Sequence, residues 1–194
     1  MIKFLFLLQL VFSLVICASN LTFGNKKTII VTWPFKNAAE TGFKFTNSLD
    51  MSENACRSCQ NDKCDGTVGP GGSPAENGES YQEAMIMDGQ TMNVGGVIGL
   101  RRIEDAIGVA RMVLDHTEHS LLAGDLATEF AVQMGFEEKD ISSEKSIEMW
   151  ENWKSEENKC QPNYWVDVIP DSQNQCGPYK PLPKSRRRPR TMKD

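Results

Sequence analysis

Five side chains dominate any search for chemistry in the mature sequence: Cys56, Cys59, Cys64, Cys160 and Cys176. The spacing Cys56-x2-Cys59-x4-Cys64 offers three thiolates to a zinc ion, which needs a fourth ligand to close a tetrahedron. His116 and His119, three apart, suit a metal pair in principle, but they lie in a different segment and have no carboxylate or cysteine partner in the pattern. They are read as solvated histidines at a helix end, and no metal is expected. A redox role for Cys56-x-x-Cys59 needs a strand feeding directly into the motif, and the sequence does not supply one. In an oxidising compartment most of the five pair as disulfides and the odd count leaves one thiol over. No Asp-Thr dipeptide occurs anywhere in the 194 residues.

The compartment is read from the N-terminus. Residues 1–19 have the pattern of a signal peptide. Lys3 gives a positive start, an apolar run from Phe4 to Ile16 follows, and Cys17-Ala-Ser19 supplies small residues for cleavage. The run is shorter than the ~20 residues of a spanning helix, so no membrane anchor is expected. Asn20-Leu-Thr22 is a glycosylation sequon beside the new terminus. Net charge is −5, yet seven Lys/Arg and one Asp fall between Lys180 and Asp194, so that segment carries +6 and the remainder −11. An acidic body with a short basic tail (residues 184–194) excludes an ordinary nucleic-acid-binding domain, whose cations share one folded face. Hydrophobic residues at 40% exclude wholesale disorder.

The elements that must position these groups are mixed α/β. Residues 28–33 are β-branched and apolar and predict a strand ended by Pro34. Residues 37–54 are helical in part. Residues 62–78, rich in Gly, Pro and Asp, must be loop. Ala84 to Asp88 and Met92 to Leu100 predict two strands turning at Asp88-Gly89. Residues 103–119 carry an amphipathic helix, with Ile103, Ile107, Ala110 and Leu114 on one face. Residues 120–123 form a short strand. Asp125 caps a helix over 126–134 that Gly135 stops. Residues 143–155 form a helix with Ile147, Trp150 and Trp153 on one stripe, where the tryptophans serve packing. After Cys160 the chain turns irregular and proline-rich. Helices packed on the face of a sheet follow from this order.

Eight segments, in order, resemble the glycosylasparaginase (aspartylglucosaminidase) family. They are Thr32-Trp-Pro-Phe-Lys-Asn-Ala38, Cys64-Asp-Gly-Thr-Val-Gly69, Gly71-Gly-Ser-Pro74, Ala84-Met-Ile-Met-Asp-Gly89, Leu100-Arg-Arg-Ile103, Ala106-Ile-Gly-Val-Ala-Arg111, Cys160-Gln-Pro-Asn-Tyr-Trp165 and Cys176-Gly-Pro-Tyr-Lys-Pro181. The resemblance covers roughly three quarters of the chain and corresponds to the family's N-terminal (α) half, here residues 28–183. It implies half of a four-layer αββα sandwich of the N-terminal-nucleophile type, incomplete by itself. It also implies a hydrolase that cuts its own precursor at Asp-Thr and uses the freed threonine, with its own α-amine as base, on the amide joining asparagine to N-acetylglucosamine. No metal or organic cofactor is implied. The resemblance further implies disulfides Cys59–Cys64 and Cys160–Cys176 with Cys56 free, and places Trp33 and Phe35 at the border of the substrate pocket.

The departures bear on activity. The scissile Asp-Thr is absent, and Asp115-His116-Thr117 has those residues in another order. Pro70 stands where the family has an aromatic, Ile98-Gly99 replaces a Gly-Asp pair, the stretch between Asn37 and Cys56 is shorter, and Ala39 removes a sequon at Asn37. The expectation is a secretory-pathway protein, lysosomal or extracellular, that is inactive alone and has no catalytic residue of its own. Two alternatives stand beside it: an α subunit completed in trans by a β-like chain bearing an N-terminal Thr, and a secreted non-catalytic binder of polyanions through the basic tail.

Overall fold

The computed structural model describes residues 27–186. The sequon at Asn20, the leader segment and the end of the basic tail lie outside the described residues. The chain divides before Val31, and everything from Val31 onward belongs to one compact unit.

That unit opens with two helices, α1 (Lys36–Gly42) and α2 (Ser48–Asp62), packed on each other. Asn47 starts α2: its side-chain oxygen accepts from the Leu49 and Asp50 amides (2.8 and 3.3 Å), satisfying donors that the first turn leaves unpaired. Lys63 closes it in the left-handed region, and the Cys64 amide donates to the Cys59 carbonyl (3.1 Å). A loop leads to the hairpin β1 (Tyr81–Met87) and β2 (Val94–Arg101), antiparallel with an irregularity between Gln82 and Ala84. Helix α3 (Ala106–His116) follows, then β3 (Leu122–Ala123), which adds parallel to β2. Helices α4 (Gly124–Gln133) and α5 (Glu144–Lys154) come next. Two short antiparallel strands, β4 (Val168–Ile169) and β5 (Lys180–Pro181), tie the last segment to itself. The architecture is mixed α/β.

The core sits between the β1–β2–β3 sheet and α3 with α4: Val97, Leu100, Val109, Ala110, Val113, Ala127 and Ala131 are all fully buried. Gly95 lets α3 approach closely, because a Cβ there would come within 2.3 Å of the Ala110 carbonyl oxygen and 2.5 Å of the Leu114 nitrogen. Along the strands, Ile86, Gly95 and Val97 face α3. Their alternates Met85, Met87 and Ile98 look the other way and remain exposed.

Three expectations need correction. Residues 28–33 form no strand: β-branched composition favours extended backbone, but a strand exists only where a partner supplies the ladder, and among the described residues no strand ladder includes them. The α3 helix begins at Ala106, three residues later than expected. Arg102 adopts a positive φ of 56°, Ile103 makes an isolated bridge to Glu138, and Asp105 caps, its Oδ1 accepting from the Gly108 amide (3.1 Å). Asp125 does not cap α4. Ala123 holds that position, and the Asp125 carboxylate accepts from Arg101 Nη1 instead (3.0 Å).

Candidate functional site

Two disulfides link Cys59 to Cys64 and Cys160 to Cys176, and Cys56 is unbonded. The first clamps the C-terminal end of α2. The second anchors the proline-rich segment beneath α5. Cys56 touches solvent, yet desolvation by its surroundings and then the Glu53 carboxylate push its thiol above the ordinary value, which disfavours the reactive thiolate. His116 and His119 are both exposed at the end of α3, and no cluster of three metal-ligating side chains occurs among the described residues.

Trp33 and Phe35 flank Pro34 in a tight turn into α1, where the Phe35 amide donates to the Trp33 carbonyl (2.7 Å). Trp33 is 68% exposed and Phe35 half-buried. Neither lines the cavity beside α5.

That cavity, about 730 Å³, lies between α5, residues 73–76 and residues 162–166. Its aromatic walls are fixed by hydrogen bonds from their own indoles. Trp150 Nε1 donates to the Glu76 carbonyl (2.9 Å), Trp165 Nε1 to Glu76 Oε1 (2.6 Å) and Trp153 Nε1 to the Pro162 carbonyl (3.0 Å). Gly78 lies so close to the Trp150 ring that a Cβ would stand 3.0 Å from Cδ2. Tyr179 backs Trp165 with ring centroids 5.5 Å apart, and Asn163 Nδ2 donates to the Tyr179 hydroxyl (2.6 Å). Ser73 and Tyr164 bring hydroxyl groups to the wall. The spacing of Trp150 and Trp153 pointed only to packing. The cavity arises because loops distant in sequence stop short of closing over them.

Several segments that carried the family resemblance turn out to do structural work. In Leu100-Arg-Arg-Ile103, Leu100 and Ile103 are core. Arg101 forks onto both Glu79 oxygens (2.8 Å each) and its guanidinium is pushed further up by Glu79 and then Asp125, while Arg102 meets Glu138 (2.6 Å). In Ala106-Ile-Gly-Val-Ala-Arg111, the first five are buried, and Arg111 reaches Asp50, Glu53 and Asp115 (3.0, 3.2 and 2.6 Å). Arg57 joins Glu53 and Asp105 (2.7 Å each), so one charged seam bolts α2 to α3. Residue type alone could not foretell this seam, because its partners lie up to 61 positions apart.

A family model described as asparaginase matches residues 10–191. Over 157 residues the chain is 54% identical to the mouse (Mus musculus) N(4)-(beta-N-acetylglucosaminyl)-L-asparaginase, covering 79% of this chain and 45% of the mouse protein. A putative enzyme of the same name from Drosophila melanogaster is 46% identical over 170 residues, covering 88% of this chain and 41% of that one. A probable isoaspartyl peptidase/L-asparaginase from Arabidopsis thaliana is 41% identical over 174 residues, with 87% and 47% covered. The chain thus spans less than half the length of these relatives.

Proposed function

The chain belongs to the asparaginase family, a family of amide-bond hydrolases, and from that premise we propose that it corresponds to the α half of a glycosylasparaginase and that these 194 residues do not turn over substrate by themselves. The observation that carries this reading is the missing nucleophile. The family chemistry needs a threonine whose own α-amine is its base, freed by cleavage of an Asp-Thr bond, and the sequence contains no such dipeptide. An internal Ser or Thr has no free amine beside it. Without nucleophile and oxyanion donors little transition-state stabilisation remains.

The half-sandwich reading is supported by the bare sheet face at Met85, Met87 and Ile98, whose opposite side is covered by α3. In that reading Trp33 and Phe35 border a substrate pocket completed by a second chain bearing an N-terminal Thr, and the exposure of Trp33 favours such completion in trans. Residues 1–19 and the sequon at Asn20 support entry into the secretory pathway, toward lysosome or exterior. Among the described residues no helix is long and apolar enough to cross a membrane.

The experiment is an assay of N-acetylglucosamine release from glycosylated asparagine. The chain is tested alone and after co-expression with a family β chain that begins at its threonine. Silence alone and activity in the mixture is the expected result, with Trp33→Ala reducing use of the substrate in the mixture. Turnover by the isolated chain, with contaminating hydrolase excluded by mass spectrometry, would overturn the reading.

A further inference from the structure

The cavity beside α5 shares no residue with Trp33 or Phe35, and its chemistry is specific. All three indole N–H groups are spent on internal acceptors, so the rings are locked in place and offer no donor to an anion. The Asn163 amide is engaged at both ends, donating to the Tyr179 hydroxyl and accepting from the Trp165 amide (3.0 Å). What remains is mostly apolar surface from Met149, Trp153, Tyr164, Trp165 and Val166, together with the Ser73 and Tyr164 hydroxyls and Glu76.

Glu76 is the one charged residue on the wall. Its Oε1 accepts from Trp165, and no Lys or Arg among the described residues forms a salt bridge with it. Glu76 is exposed at the rim, where its carboxylate can meet an ammonium group that also faces the electron-rich rings, and such ring faces attract ammonium groups. The chain already shows that attraction: Lys154 Nζ sits 4.7 Å from the centroid of Trp150, on a flank that does not line the cavity. The volume of about 730 Å³ suits a small organic molecule.

We propose that this cavity binds a small organic cation, with an aromatic or branched apolar body among Trp153, Tyr164 and Trp165 and its ammonium group against Glu76. The proposal does not rest on the hydrolase reading, since the site shares no residue with Trp33 or Phe35.

The test titrates the full chain with phenethylammonium and with 2-phenylethanol, which has the same body without the charge, by indole fluorescence and ligand-detected NMR. The cation binds about tenfold tighter than the alcohol, the scale of one solvent-exposed cation–π contact together with one exposed carboxylate contact. Glu76→Gln keeps an oxygen to accept from Trp165, so the fold holds, as circular dichroism and the thermal melt check. In that variant the preference falls to about threefold or less while alcohol binding is unchanged. Glu129→Gln, removing the same charge outside the cavity, leaves the preference intact. Equal binding of cation and alcohol, no saturable binding of either, a preference that survives Glu76→Gln, or an equal loss in Glu129→Gln would each overturn the proposal.

Discussion

The sheet-and-helix region from Tyr81 to Gln133 and the C-terminal segment after Cys160 are held together by different forces. The first buries apolar side chains: Val97, Leu100, Val109, Ala110 and Val113 have no exposed surface at all. The second buries almost none. Cys160 and Ser172 are its closed positions, while Tyr164, Trp165, Val166 and Ile169 are exposed. In place of a core it has a disulfide, a two-residue strand pair, and side-chain bonds such as Ser172 Oγ to the Trp165 carbonyl (2.6 Å) and Gln161 Nε2 to the Ser172 carbonyl (2.7 Å). Burial is cooperative and scales with area removed from water, whereas a cross-link works by restricting the unfolded chain. The two regions should therefore fail separately.

Leu100→Ala gives the largest effect, about 2–5 kcal/mol lost, because the methyls removed leave a void that close-packed neighbours fill only in part. Chemical denaturation should show the loss in the midpoint of the whole transition. A change confined to the C-terminal segment would break the comparison.

The double variant Cys160→Ser with Cys176→Ser comes next. The bridge spans a separation of 16 residues, and its removal costs about 3 kcal/mol in the chain-entropy picture. Limited proteolysis should cut within residues 161–183 first while amide protection in β2 and α3 persists. Simultaneous loss of protection in both would show that one core governs the molecule.

Arg111→Met tests the seam between α2 and α3. The guanidinium is largely buried and faces Asp50, Glu53 and Asp115; its removal leaves Glu53, itself buried, short of one of its two cations. A loss of about 2 kcal/mol is expected from the uncompensated charge. It should be relieved in part by adding Glu53→Gln, and a double-mutant cycle without coupling would remove the seam from the account.

The smallest effect concerns the hairpin loop. The Asp88 carboxylate accepts from the Gln90 amide (2.9 Å) and the Thr91 hydroxyl (2.7 Å), and these bonds hold its pKa below the ordinary 3.8. A group whose pKa is depressed by folding contributes stability above its unfolded value, and that contribution is lost as pH falls through the folded one. The Gln90 amide shift should therefore titrate with a midpoint below 3.8, and Asp88→Asn should abolish the step. A midpoint at or above 3.8 would remove the carboxylate's part in the turn.

What the sequence determined by itself is what short-range physics controls. The hairpin around Asp88, the loop through residues 62–78, the α3 and α5 helices and the stop at Gly135 depend on backbone bonds and side-chain caps within a few residues, which residue type reports directly. Family membership was legible for a related reason, since eight ordered segments carry it without any coordinates. Tertiary structure decided whatever needed a distant partner. Residues 28–33 have the composition of a strand but no ladder among the described residues, Asp125 accepts from Arg101 instead of capping, and Arg111 found acids on a helix some 60 residues earlier. Trp150 and Trp153, spaced for packing, became cavity walls because residues 73–76 and 162–166 approach them without closing. In each case a local preference of about 1 kcal/mol or less was outweighed by a contact between parts of the chain that no window of sequence contains.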